Sequence, residues 1–178
     1  MDGYDERKFA EALLYVAAGL EGDPAGGAVK INKALYNADF GHMRAFGRPI
    51  TGADYQRLAQ GPAPRRLLPV RSALIEAGAA QMREELHLGR TVKKLVPLRA
   101  PDVTTLSSTE LSMLDQAIAV EKARSASQSS AASHREPGWR MVNDGDSIPY
   151  ETAFLRRPVV TDRVRRRIAE LAAEHALS

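Results

Sequence analysis

Asp39 and His42 stand three residues apart in the stretch YNADFGHMRAFGRPITGADYQRLAQGPAP, residues 36–64. On a helix, positions i and i+3 share a side. A carboxylate and an imidazole so placed can converge on one metal ion or act as an acid–base pair. His134 is the best third donor from elsewhere in the chain. The chain has no cysteine, so disulfides, thiolate metal sites and a Cys nucleophile are excluded, and a metal would have to draw on four histidines and the carboxylates. The usual catalytic signatures are missing: no GxxxxGKS/T for nucleotide phosphates, no GxGxxG, no HExxH and no GxSxG. Asn143-Asp144-Gly145-Asp146 lacks the spaced ligands and distal glutamate of a calcium loop, and reads as a turn before Ile148-Pro149. His42 lies on an apolar stripe with Leu35 and Ala38. A buried neutral histidine bonded to a carboxylate or backbone group therefore satisfies the same pattern. The expectation is no catalytic residue, no metal and no cofactor, with a metal-dependent enzyme built on Asp39, His42 and His134 as an alternative.

The charge balance points weakly to nucleic acid. The net charge is +3 and the pI about 9.3, yet the excess is spread between Arg65 and Arg124. One local cluster stands out at Arg163, Arg165, Arg166 and Arg167. Such a cluster can bind phosphate backbones, but is more commonly the solvated face of a helix. Arg163, Arg166 and Arg167 are retained as candidate partner-binding residues, with a nucleic-acid-binding regulator as a lesser alternative. At 178 residues, 44% hydrophobic, the chain has the size and composition of one folded domain. The opening MDGYDERKFAEALLYVAAGLEGD has no basic flank of a signal peptide, and no apolar run approaches the roughly 20 residues of a membrane span. With the absence of cysteine, this leads to the expectation of a cytoplasmic protein without a membrane partner.

The elements that would position these residues are mainly helical. Phe9, Leu13, Val16, Ala17 and Leu20 share one face of a first helix over about 5–20. The second, about 28–46, is apolar around most of its circumference and should be the central, buried helix. Gly47 suits its C′ position and Pro49 prevents continuation. Residues 48–64 read as irregular backbone pinned by Gly52, Gly61, Pro62 and Pro64. A third helix carries Leu67, Val70, Leu74 and Ala77, with Pro69 in its first turns and Gly78 as its stop. Residues 81–98 change to a period of two and predict a short β-hairpin turning at Gly89-Arg90. Ser107 with Glu110, and Ser125 with Gln128, are capping-box patterns opening two further helices that end near Arg124 and His134. Residues 135–151 are turn-rich around the single tryptophan, Trp139. Trp139, Tyr150, Tyr55 and Pro62 read either as core plugs or as anchors for a partner. Thr161 caps a last helix bearing Val164, Ile168, Leu171 and His175. The sum is a compact helical domain of about six helices with one small β-hairpin.

The order of these motifs resembles the SocA-like antitoxin family, the Panacea domain. The resemblance rests on KINKALYNADFGHMRAFGRPITGADYQRLAQGPAP (30–64), on LSSTELSMLDQAI (106–118), SHREPGWR (133–140) and IPYE (148–151), covering about residues 30–151. Gly138 departs from the pattern, standing where a small helix former such as Ala is usual, which is expected to loosen the Trp139 corner. The resemblance implies a single domain over 1–178, in which 1–29 adds an N-terminal helix and 152–178 an Arg-rich C-terminal helix to the core. It implies a protein antitoxin of a bacterial or phage toxin–antitoxin pair, not an enzyme. Such a protein neutralises a cognate toxin, encoded next to it, by direct contact. Delivery of the toxin to a protease is the variant known for one member, and a homo-oligomer is compatible with either. Under this reading Asp39, His42, Gly47, Pro49, Thr51, Gly52, Tyr55, Gly61, Pro62, Pro64, His134 and Trp139 hold the fold.

Overall fold

The computed structural model describes residues 3–155 and Arg166. Among these residues six α-helices and two separate two-stranded antiparallel sheets are present. Helix α1, Glu6–Leu20, opens on Asp5, whose carboxylate accepts the Lys8 amide at 2.9 Å. It buries Phe9, Leu13, Leu14, Val16 and Leu20 almost completely, so the segment ahead of the motif-rich region is part of the main core.

Helix α2, Ala28–Phe46, is the axis of the fold, packing against α1, two of the later helices and a strand of each hairpin. Apolar burial on several sides is what its nearly continuous apolar circumference demands. Gly47 ends it in a left-handed conformation, φ 74°, and returns its amide to Met43 O at 2.8 Å.

The stretch read as irregular folds instead, from Tyr55 on, as a hairpin: β1, Tyr55–Leu58, and β2, Gly61–Pro64. Pro62 and Pro64 sit opposite Arg57 and Tyr55. Those two β1 residues direct their backbone groups the other way, Arg57 to Asp146 O and the Gly145 amide, Tyr55 O to the Ile148 amide. The prolines therefore occupy the positions where no ladder N–H is required. The outer side of β1 is completed by residues 145–148, which explains why Asn143–Asp146 forms a tight turn, with the Asp146 amide on Asn143 O at 3.0 Å.

Helix α3, Leu67–Glu76, carries Pro69 in its first turn and buries Leu67, Val70 and Leu74, leaving Ala77 exposed at its cap. Strands β3, Ala80–His87, and β4, Arg90–Pro97, form the expected second hairpin. Its turn is Leu88-Gly89 rather than Gly89-Arg90, with positive φ at both residues, as a two-residue hairpin loop of this hand requires. Leu95 joins the core and Val96 is buried too, while Leu86 and Leu88 at the tip are 79% and 89% exposed.

Helices α4, Ser108–Lys122, and α5, Ala126–Ser133, both open on complete capping boxes. A single turn, α6, Pro137–Arg140, carries Trp139, and short 3-10 turns occur at Val103–Thr105 and Tyr150–Phe154. The helix expected after Thr161, with Arg163 and Arg167, lies outside the described residues; Arg166 is helical and exposed.

Candidate functional site

Asp39 is fully buried on α2 and bonded on both oxygens. Oδ1 accepts the amides of Ile50 and Thr51, each at 2.8 Å, and Oδ2 accepts the hydroxyls of Thr51 at 2.6 Å and Tyr55 at 2.7 Å. Burial pushes its pKa up, and the four donors draw it back. The loop backbone between α2 and β1 cannot find water here, so the carboxylate supplies its acceptors. The Thr51 hydroxyl also takes the Ala53 amide at 3.2 Å. Gly52, φ 68°, passes close to the backbone of Gly3.

His42, one turn on, addresses other groups. Nδ1 lies 2.8 Å from Arg48 O and Nε2 3.3 Å from the Thr109 hydroxyl of α4, while the ring tilts against Phe46 at 4.6 Å. Pro49 lies between the Arg48 carbonyl and the amides held by Asp39, so one loop is pinned at both ends. Sharing a helix side thus brings Asp39 and His42 to the same loop but not to a common ligand position.

His134 does not join them. It stacks on Trp139 at 4.3 Å between centroids, and Arg57 covers the same indole at 4.0 Å. Trp139 Nε1 donates to Leu58 O at 3.1 Å, and Arg57 Nη1 donates to Val142 O at 2.7 Å. Half-buried and packed on the core, Trp139 locks α6 to the first hairpin. Gly138 does the opposite of loosening this corner: a Cβ there would lie 2.5 Å from Thr152 Oγ1 and 2.7 Å from Ile148 Cγ2, so glycine allows the close approach. No three His, Asp or Glu side chains gather as a metal site among the described residues.

Tyr55, fully buried, meets Tyr36 and Phe40 edge-on. Tyr150 stacks on Phe40 at 4.7 Å and donates to Ala53 O at 2.8 Å. Tyr55 is in the core, Tyr150 packs half-buried against it and Pro62 is buried, so none is an exposed anchor. Burial holds both phenol pKa values above the usual range.

A second polar centre escapes the motif pattern. Lys30, Lys33 and Asn37 fall at i, i+3 and i+7 on α2, facing Glu121 of α4. Lys30 is 1% exposed and paired with Asp23 at 2.5 Å; Lys33 is 2% exposed and donates to Pro62 O at 3.2 Å. Glu121, fully buried, accepts from Asn37 at 3.3 Å and lies 3.6 Å from Arg124. Burial raises the Glu121 pKa against the pull of Ser129, Arg124 and the two lysines, and burial lowers that of Lys33 to about 8 despite Glu121. Gly61, φ 102°, lies against Ser133 and Lys33, where any side chain would collide. The i, i+3, i+7 polar stripe on an otherwise apolar helix was the available signal for this centre.

The polar atoms of Asp39 and His42 are thus committed to the chain's own backbone and hydroxyls. The arrangement fastens the loop between α2 and β1 from inside. No helix among the described residues is long and apolar enough to cross a membrane. Residues 31–140, more than half of the chain, match the family model described as Antitoxin SocA-like, Panacea domain. No curated protein and no solved structure matches the chain.

Proposed function

The chain belongs to the SocA-like antitoxin family of Panacea domains, and on that premise we propose that it neutralises a protein toxin by direct binding. The family match carries this reading. The geometry supports it, because the residues that first suggested catalysis are consumed in holding the loop between α2 and β1. A scaffold fixed from inside keeps its surface ready to bind, which lowers the entropic cost of association. The toxin is the product of the adjacent reading frame, and the pair works in the cytoplasm. The contact surface is drawn from the tip of the β3–β4 hairpin, the outer face of α1, and Arg163, Arg166 and Arg167.

Co-expression with the adjacent reading frame tests this directly. Growth rescue together with co-purification of the two proteins is the expected result. Rescue without a stable complex would replace direct neutralisation by proteolytic delivery or catalysis. A neighbour that is harmless and binds nothing would overturn the pairing.

A further inference from the structure

A cleft of about 330 Å³ opens between α4 and α5 above α2, on the side of the molecule where Lys33 is buried. Its size falls at the lower end of small-molecule sites, roughly 300–1,000 Å³. Lys33, Arg44, Arg124 and Arg135 line it, against a single lining carboxylate, Glu136. A surplus of one sign in a concave, poorly solvated space focuses the field and favours a counter-ion.

The cationic groups retain donors to spend. An ammonium has three N–H groups, and Lys33 uses one, on Pro62 O at 3.2 Å. Arg44 commits its Nε to Ala153 O at 2.7 Å. Arg135 side-chain atoms make no hydrogen bond or ion pair among the described residues. Glu121, the buried carboxylate whose charge acts on Lys33, is engaged by Asn37 and Arg124 through Oε1. Ser129, 1% exposed, also lines the cleft, its hydroxyl beside the Glu121 carboxylate. A buried charge left short of partners is costly, and a ligand bearing several acceptor oxygens would supply them to the Lys33 ammonium. Val120 and Ala117 of α4 make part of the wall apolar, which suits a carbon skeleton rather than a bare ion.

We propose that this cleft binds a small organic anion, phosphate- or carboxylate-bearing, with Lys33 and Ser129 at its floor and Arg124 and Arg135 at its rim. The site is independent of the toxin-binding reading and stands or falls separately.

Calorimetric titration of the full chain at constant ionic strength, with glycerol 2-phosphate in one arm and citrate in the other, tests it. Saturable binding in at least one arm is expected, and the arm that responds identifies the anion class. Arg135→Gln and Arg124→Gln should each weaken that binding roughly tenfold or more, while Arg90→Gln on the distant hairpin leaves it unchanged. Lys33→Met should abolish it; since that variant also removes a buried contact to Pro62 O, the exposed Arg135→Gln is the deciding one. No saturable heat in either arm, or binding that Arg135→Gln and Arg124→Gln leave intact, would overturn the proposal.

Discussion

Asp39 grips Thr51 twice, through its amide at 2.8 Å and its hydroxyl at 2.6 Å. A single carboxylate on the central helix therefore fixes both the backbone and the side chain of the loop that feeds β1. Removing it leaves two amides and two hydroxyls facing a dry cavity. Asp39→Ala should cost about 3–5 kcal/mol of unfolding free energy, since it strands buried amide and hydroxyl donors at about 1–3 kcal/mol each. Asp39→Asn retains an acceptor for the two amides, and the hydroxyls can turn to accept from its NH2 group, so its cost should be nearer 1–2 kcal/mol. Urea unfolding with unchanged m-value measures both. Equal losses for the two would mean that charge, not acceptor count, holds the loop.

Gly61 and Gly78 both have positive φ, 102° and 67°, but only Gly61 is crowded. Gly78→Ala meets open space and should cost about 1 kcal/mol of left-handed strain. Gly61→Ala adds a Cβ 2.6 Å from Lys33 Nζ and in collision with the Ser133 hydroxyl. Its expected cost is about 2–4 kcal/mol, strain plus overpacking. Thermal denaturation of the pair separates backbone strain from packing; a similar drop for both would mean that the buried lysine moves aside freely.

The helices were legible because their signals are local. Ser107 with Glu110 and Ser125 with Gln128 announce helix starts four residues at a time, and both capping boxes form. The first hairpin was not, because Gly61-Pro62-Ala63-Pro64 contains no strand former. It becomes a strand through what lies beside it: β1 on one side and the buried Lys33 ammonium on Pro62 O. Such partners are far apart in the chain. The Asp39–His42 pair was visible in the residues, but its direction was not, since helical spacing gives a shared side and says nothing of what covers it. Lys33 and Glu121 look like ordinary solvated charges until α2 and α4 are brought face to face.

Lys33 should give stability a distinctive pH profile. Its folded pKa lies near 8, lowered by burial against the pull of Glu121, while the unfolded side chain titrates near 10.5. Between these values the unfolded chain holds a proton that the folded chain has lost. Stability therefore rises with pH in that window, by about 1.4 kcal/mol per unit from this group. Lys30, Arg124 and Glu121 share the centre, and none of them removes the sign. The buried phenols of Tyr36, Tyr55 and Tyr150 act oppositely, their raised pKa values costing stability above pH 10. Denaturant titrations at pH 8 and 10 should show the wild-type chain gaining about 2–3 kcal/mol relative to Lys33→Met. Parallel profiles would show that Lys33 stays charged throughout.

Leu88 sits at the tip of the β3–β4 hairpin with φ 47° and 89% of its surface exposed. A leucine gains nothing for folding there: the left-handed conformation strains its Cβ, and its apolar surface faces water. Asn is the residue this turn position favours. Leu88→Asn should stabilise the chain by up to about 1 kcal/mol, since it relieves strain and removes no buried contact. If the tip belongs to the toxin-binding surface, the same substitution weakens neutralisation in the co-expression assay while the thermal midpoint rises. That opposition of sign cannot come from misfolding. A stabilised variant that still rescues growth fully would move the contact surface away from the hairpin, toward α1 or the arginines beyond residue 160.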